Sequence, residues 1–243
     1  MKKNEKSGKN GIVITISGGL LENAEMFEKY SSALLEISKK YEKVVAVTGG
    51  GKIARHYISI GKDLGFDAET LDKLGIMVTR IHSRILAKSL KEKAKGNLEV
   101  NKDVLCSYEE VVNFVEKNGR CVAVCGGMKP FQSTDKVAAD ICQMLGFKIL
   151  IKATKVDGIF DKKPEESGAK IIKELSYEDL RALVKNIEQS PGKYDLFDIK
   201  GVDVLEKGKI WMYVVNGKDP KNVVKAVFGK NLGSLVKEKE AVQ

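Results

Sequence analysis

Short apolar runs alternate along this chain with longer segments of helical periodicity. The first three runs are Ile12–Ile16, Val44–Val47 and Cys121–Cys125. Their nearly continuous apolar character, which only Thr15 interrupts, is typical of strands that are buried on both faces of a parallel sheet. Between them, segments such as 22–40 space their apolar residues three and four positions apart, which predicts helices. The alternation therefore predicts an α/β protein with a largely parallel sheet covered by helices on both faces.

The same reading predicts the remaining elements and a single domain. We expect strands at 43–48, 120–125, 147–153 and 209–215, a closing strand within 229–236, and helices at 50–64, 68–95, 107–117, 133–145, 176–187, 198–207 and 221–228. Residues 1–10 are polar and basic, and we expect a flexible tail there, followed by one domain over 11–236 and a C-terminal tail over 237–243.

Glycine clusters end the first three apolar runs. They are Gly18-Gly19, Gly49-Gly50-Gly51 and Gly126-Gly127. The loops at the carboxyl ends of parallel strands form the binding crevice of such a sheet. Glycine in these loops lets backbone N–H groups approach a phosphate closely. Three such turns in one chain predict a protein that holds several phosphates at once, although each turn alone is also compatible with an ordinary strand end.

Composition narrows the function classes. The 243 residues carry a formal net charge of +9, but basic and acidic residues are interleaved, so we expect an anionic small ligand and no nucleic acid. The four cysteines lack CxxC spacing and only two histidines are present, which argues against a structural zinc site. No apolar run is long enough to span a membrane and no signal peptide is recognisable, so we expect a cytoplasmic protein with reduced thiols.

Several motifs occur in a characteristic order. They are SGG (17–19), TGGGKIAR (48–55), DKLGI-x-x-TR (72–80), GGMKPFQSTD (126–135), KATKVDGIF (152–160), GKYDLFD (192–198) and a terminal G-x-x-x-GS (229–234). Together they resemble the uridylate (UMP) kinases of the amino acid kinase superfamily, the archaeal branch best. The P-loop pattern GxxxxGK[ST] is absent.

This resemblance implies a fold and a reaction. The fold is a three-layer α/β/α sandwich with a mainly parallel sheet of about eight strands. The reaction is ATP-dependent transfer of a phosphoryl group to UMP, with Mg²⁺ as cofactor and no protein ligand assigned to the metal. The resemblance also implies a homo-oligomer, usually a hexamer built as a trimer of dimers, in which the helix at 68–95 forms a dimer contact.

The resemblance assigns the donor site to named positions. The ATP-binding residues are Gly18, Gly19, Gly51, Arg55, Thr154, Lys155 and Phe160. Of these, Lys155 is also a candidate catalytic residue, because its charge suits the transition state of phosphoryl transfer. Arg55 lies one turn into a helix and faces the glycine turn, although an exposed helix arginine explains it too. Phe160 matches an aromatic residue beside the adenine or, alternatively, a core residue.

The acceptor site is assigned in the same way. The UMP-binding residues are Gly50, Asp72, Met128, Lys129, Pro130, Phe131, Gln132, Ser133 and Thr134. Ser133 and Thr134 are also typical helix-capping residues, a role compatible with anion binding at a helix start. Asp135 is a second catalytic candidate that orients the reacting groups or the metal, although an aspartate in a first helical turn is common without any function.

Four positions depart from the family pattern, at Thr15, His82, Lys163 and Gly201. Thr15 stands where many relatives carry a lysine, which leaves Lys52 or Lys155 to supply the positive charge. The departures keep two alternatives open: an enzyme of this fold with a different acceptor, and a non-catalytic relative that binds a nucleotide or an oxyanion.

Overall fold

The computed structural model describes residues 10–188, 197–230 and 232–239. It contains one eight-stranded sheet with the order β3-β4-β2-β1-β5-β7-β8-β6. The strands are β1 Gly11–Ile16, β2 Lys43–Thr48, β3 Glu99–Val100, β4 Cys121–Cys125, β5 Ile149–Thr154, β6 Glu174–Ser176, β7 Trp211–Asn216 and β8 Ser234–Lys237. Within the described ranges, β1 to β5 and β7 are mutually parallel, whereas β8 pairs antiparallel with β7.

Helices cover both faces of the sheet. They are α1 Ala24–Ile37, α2 Gly51–Asp63, α3 Ala68–Lys93, α4 Tyr108–Lys117, α5 Thr134–Leu145, α6 Tyr177–Glu188, α7 Ile199–Gly208 and α8 Lys221–Val227. One apolar core lies between the sheet and α4 to α7, and the other lies between the sheet and α1, α3 and α8. The predicted three-layer sandwich with a mainly parallel sheet is therefore confirmed.

The central strands explain why the sheet forms. All six residues of β1 are buried, because helices cover the strand on both sides. From β1 the chain first builds the half of the sheet that contains β2 and β4, and it then returns to place β5 on the other side of β1. The loops that follow β1 and β5 thus meet at a topological switch point, where open α/β sheets bind their ligands.

The terminal strand corrects one expected boundary. Lys237, assigned to the C-terminal tail, is the last residue of β8, and the neighbouring Glu238 accepts a hydrogen bond of 3.1 Å from the Trp211 indole nitrogen. Residues 1–9 and 240–243 of the expected tails, and residues 192–196 of the GKYDLFD motif, lie outside the described residues.

Candidate active site

The glycine turns after β1 and β2 are in direct backbone contact. A Cβ atom on Gly18 would lie 2.3 Å from the amide nitrogen of Gly51, and one on Gly51 would lie 2.5 Å from the carbonyl carbon of Gly18. Gly51 also has a φ of +62°, in the left-handed region that side chains disfavour. Glycine is thus required here for the two turns to pack together, and this packing brings their backbones into direct contact.

Helix α3 connects these turns to the third one. The Nδ1 atom of the buried His82 lies 2.7 Å from the carbonyl oxygen of Gly49 and donates to it, since a carbonyl can only accept. The Thr79 hydroxyl accepts a hydrogen bond of 2.7 Å from the Gly127 amide, and the Arg80 guanidinium donates to the Gly127 carbonyl at 3.2 Å. The three turns predicted to meet at one edge of the sheet therefore lie there together.

A group of basic side chains stands over the first two turns. Lys155 follows β5, and its ammonium lies 3.1 Å from the Glu22 carboxylate, while the Lys52 ammonium lies 4.0 Å from the same oxygen. The hydrogen bond from Lys155, its charge and the charges of Lys52 and Arg55 hold the pKa of Glu22 below its usual value. Gly19 lies beneath Lys155, because a Cβ atom there would be 2.4 Å from its Cε. The structure thus brings Lys52 and Lys155 to one carboxylate at the predicted donor site, and Arg55 is near enough to act on that carboxylate through its charge.

The predicted acceptor loop, residues 128–134, is fixed at several points. The Asp72 carboxylate on α3 accepts a hydrogen bond from the amide of Phe131, a residue whose φ is +61° and which is 64% exposed. The Ser133 hydroxyl accepts from the Lys136 amide as the N-cap of α5, and it donates to Asp198 at 2.9 Å. The exposed aromatic ring in a strained backbone conformation marks this loop as a candidate binding element.

The side of this loop that faces α4 is held by a polar network. The Tyr108 hydroxyl donates to Asp140 at 2.8 Å and lies 3.1 Å from the side-chain oxygen of Gln132. Lys136 completes the network with an ion pair to Asp140 at 2.7 Å. Burial and the bond to Asp140 raise the pKa of Tyr108, so that its hydroxyl stays protonated and available as a donor.

The other predicted residues lie at the same edge or in the loops beside it. Thr154 is half-buried at the end of β5, and Phe160 is half-buried and pairs with Ile171 in an isolated antiparallel bridge. The remaining acceptor-site positions are Gly50, the N-cap of α2; Met128, buried; Lys129, exposed; Pro130, half-buried; and Thr134, the first residue of α5.

Sequence reasoning missed one buried charge. Lys152 on β5 is 5% exposed, and its ammonium is hydrogen-bonded to the Asp135 carboxylate. The hydroxyl of Thr15 donates to the same carboxylate at 3.3 Å, and Thr15 and Lys152 are Cα partners on adjacent strands. The expectation that Lys52 or Lys155 compensates for Thr15 therefore overlooked the lysine that lies beside it. Lys152 was overlooked because it lies within an apolar run that predicts a strand.

Two other departures lie away from the turns. Gly201 belongs to α7, and a Cβ atom there would lie 2.8 Å from the Phe197 ring. The glycine is thus explained by close packing of the helix against that ring. Lys163 is half-buried in the loop after Phe160.

Comparison with known proteins agrees with this arrangement. The sequence model of the amino acid kinase family matches residues 10–216, which include the three turns, the basic group and the acceptor loop. The chain belongs to the amino acid kinase family. Among relatives in this family, a uridylate kinase from Hyperthermus butylicus is 34% identical over 94% of this chain and 98% of its own length. One from Methanobrevibacter smithii is 31% identical over 93% and 98%.

Solved structures of the amino acid kinase fold support the same relationship. The uridylate kinase of Archaeoglobus fulgidus superimposes with a TM-score of 0.80 at 27% identity, over 93% of this chain and 99% of that one. A UMP kinase from Bacillus anthracis, at 21% identity and a TM-score of 0.78, over 95% of this chain and 97% of that one, shows the fold alone. The resemblance to archaeal uridylate kinases drawn from the motifs is therefore confirmed.

Proposed function

We propose that this protein is a kinase that transfers the γ-phosphoryl group of ATP to UMP, giving ADP and UDP. The observation that carries the proposal is the single edge of the sheet at which glycine turns, three basic side chains and a separately braced loop converge. Full-length similarity to uridylate kinases supports UMP as the acceptor.

The turns and the basic group form the donor side. The amides of Gly18, Gly19 and Gly51 bind the ATP phosphates, and Arg55 and Lys155 neutralise their charge, so Lys155 exchanges its contact with Glu22 for one with a phosphate. Thr154 and Phe160 border the nucleoside. Phosphoryl transfer depends mainly on positioning and charge neutralisation, which a fixed set of amides and cations supplies.

The loop and α3 form the acceptor side. Gly50, Asp72 and residues 128–134 hold UMP so that an oxygen of its phosphate points at the γ-phosphorus. A P–O bond forms at that oxygen, the bond between the γ-phosphorus and the β,γ-bridging oxygen breaks, and ADP leaves with the electron pair. The bond between Asp72 and the Phe131 amide keeps the loop in place for this alignment.

The donor set fits a Mg²⁺ ion that enters with the nucleotide. Over the described ranges, no three His, Cys, Asp or Glu side chains converge to form a metal cage. Mg²⁺ needs none, because it is usually held by substrate phosphates, waters and one or two carboxylates. Asp135 and Glu22 are carboxylates at the proposed site, and both are paired with lysines. When bound, the metal neutralises phosphate charge.

A coupled ADP-release assay tests the proposal. With saturating Mg-ATP, the purified protein should form ADP in the presence of UMP and much less with CMP, AMP or GMP. Turnover with carbamate, a carboxylate or isopentenyl phosphate but not with UMP would show that the protein is a kinase with a different acceptor. Tight ATP binding without turnover on any acceptor would favour the non-catalytic alternative.

The outer surface of α2 and α3 supports a homo-oligomer, which we propose to be a hexamer from the family resemblance. Several large apolar side chains are exposed there: Ile53, Tyr57, Ile60, Leu64, Met77, Ile81 and Ile85. Large apolar side chains exposed on two helices that pack against each other are typical of a subunit interface. Light scattering should give a multiple of the 26.8 kDa chain mass, and Ile81→Glu should lower that mass. A monomeric wild-type protein would contradict the proposal.

We also propose a cytoplasmic location, which rests on the resemblance and on the four free thiols. None of the described helices has the length and apolar character needed to cross a bilayer.

A further inference from the structure

The ion pair between Lys152 and Asp135 is the most buried pair of opposite charges described at the proposed site. Their side chains are 7% and 14% exposed, whereas those of Lys155 and Glu22 are 40% and 44% exposed. Taking two charges out of water is costly, and apolar residues of similar size are often as stable or more so. The preceding residue of β5 on the same face is the apolar, fully buried Leu150. Packing of the strand therefore gives no reason for a lysine at position 152.

The pair lies between the two halves of the proposed site. Lys152 is three residues before Lys155, and Asp135 immediately follows the acceptor loop. Thr15, which donates to Asp135, is two residues before the turn that begins at Ser17. The ammonium is thus fixed below the place where the donor turns and the acceptor loop approach each other.

The ammonium also has unused hydrogen-bonding capacity. Asp135 is its one hydrogen-bond acceptor among the residues described, and the Phe197 ring lies 5.4 Å away as a cation–π neighbour. An ammonium has three N–H donors, so two are left for oxygen atoms of a ligand.

We propose that Lys152 is a catalytic residue, whose ammonium contacts the phosphoryl group during its transfer and neutralises the charge that develops on its oxygens. Asp135 and Thr15 hold the ammonium in position. This inference rests on the proposed function. The family resemblance leads us to expect a lysine at the position of Thr15, and in this chain the Cα partner of Thr15 on the neighbouring strand, Lys152, supplies that positive charge.

Kinetics of Lys152→Met test the inference. We expect kcat for UMP phosphorylation to fall on the order of 100- to 1000-fold, as for loss of one group that stabilises transition-state charge. The dissociation constants of Mg-ATP and UMP should change by less than about 3-fold, because the group acts mainly in the transition state. Lys148→Met is the matched control, since Lys148 is an exposed lysine at the opposite end of β5. It should retain wild-type kcat.

Lys152→Met leaves the Asp135 carboxylate without a cationic partner, which could prevent folding. Two double variants therefore test the same inference without that risk. Lys152→Met/Asp135→Asn removes both charges and should fold but remain as slow as Lys152→Met. Thr15→Lys/Lys152→Met moves the ammonium to the adjacent strand, about 4.8 Å away, and should recover at least about 10-fold in kcat.

The outcomes separate the two claims. An active wild-type protein together with a folded Lys152→Met of unchanged kcat would overturn the inference and leave the proposed function intact. Equal affinity loss and turnover loss, with no recovery by Thr15→Lys/Lys152→Met, would show that Lys152 is only structural. A wild-type protein without kinase activity would overturn both claims.

Discussion

The contact between Glu22 and Lys155 makes a quantitative prediction about ATP affinity. The Glu22 carboxylate lies 3.1 Å from the ammonium of Lys155, which we propose to bind a phosphate, and 4.0 Å from the ammonium of Lys52. Glu22→Gln should therefore tighten ATP binding, because Lys155 no longer has to leave a charged partner and one negative charge near the phosphates is removed.

The exposure of the pair sets the size of the effect. Both side chains are about two-fifths exposed, so solvent screens the pair and it has only the small strength of a typical surface ion pair. Loss of this competition corresponds to an approximately 1.4- to 5-fold lower Kd for ATP. Calorimetric titration with an ATP analogue that cannot transfer its γ-phosphoryl group measures it. The gain should shrink in 0.5 M salt, at which the Debye length is only about 4–5 Å.

Glu25→Gln is the matched control for this measurement. Glu25 also pairs with a lysine, Lys29 at 2.6 Å, and its loss changes the net charge equally, but it lies in the first turn of α1. It should leave ATP affinity unchanged. An equal gain in ATP affinity in both variants would show that the effect comes from the change in net charge alone. No gain in Glu22→Gln would refute the assignment of Lys155 to the phosphates.

The remaining predictions concern the turns and the other cations. Gly51→Ala should destabilise the fold by more than Gly65→Ala in thermal unfolding, because both have positive φ but only the Cβ at 51 meets backbone atoms within 4 Å; equal losses would exclude the packing argument. His82→Ala should cost about 1–3 kcal/mol in denaturant unfolding by removing a buried donor to a carbonyl, and an unchanged midpoint would contradict this. Arg55→Ala should weaken ATP binding about 10- to 150-fold, the value of a charge-assisted hydrogen bond, whereas an unchanged Kd would place Arg55 elsewhere. Lys155→Ala should lower kcat more than affinity, and it should raise the pKa of Glu22 towards its usual value in a carboxyl NMR titration; a pure affinity loss would remove its catalytic role.

Strong local patterns made much of the fold predictable. The limits of β2 were predicted to the residue, and the long helix was predicted over 68–95 and observed over Ala68–Lys93. The two short strands β3 and β6 were missed, because two or three residues carry no measurable periodicity. They exist because they pair with β4 and β8, a contact that local sequence does not encode.

The candidate site was predictable only in part for a related reason. Glycine turns after apolar runs are a local signal. Because a parallel sheet places the carboxyl ends of its strands at one edge, the convergence of these turns could be predicted. The Lys152–Asp135 pair and the bond from His82 to Gly49 join segments distant in sequence, and each depends on which helix covers which strand. The one sequence signal for the buried pair is a lysine inside an apolar run, and that signal was overlooked.

The central claim is that neighbouring glycine turns bind the donor while the loop after β4 binds the acceptor. Amide chemical-shift mapping by NMR tests this most directly. Addition of a non-transferable ATP analogue with Mg²⁺ should shift the amides of Gly18, Gly19 and Gly51, and subsequent UMP should shift those of residues 128–134 except Pro130. Shifts confined to surfaces away from this edge of the sheet, or the absence of any response to UMP, would contradict the account.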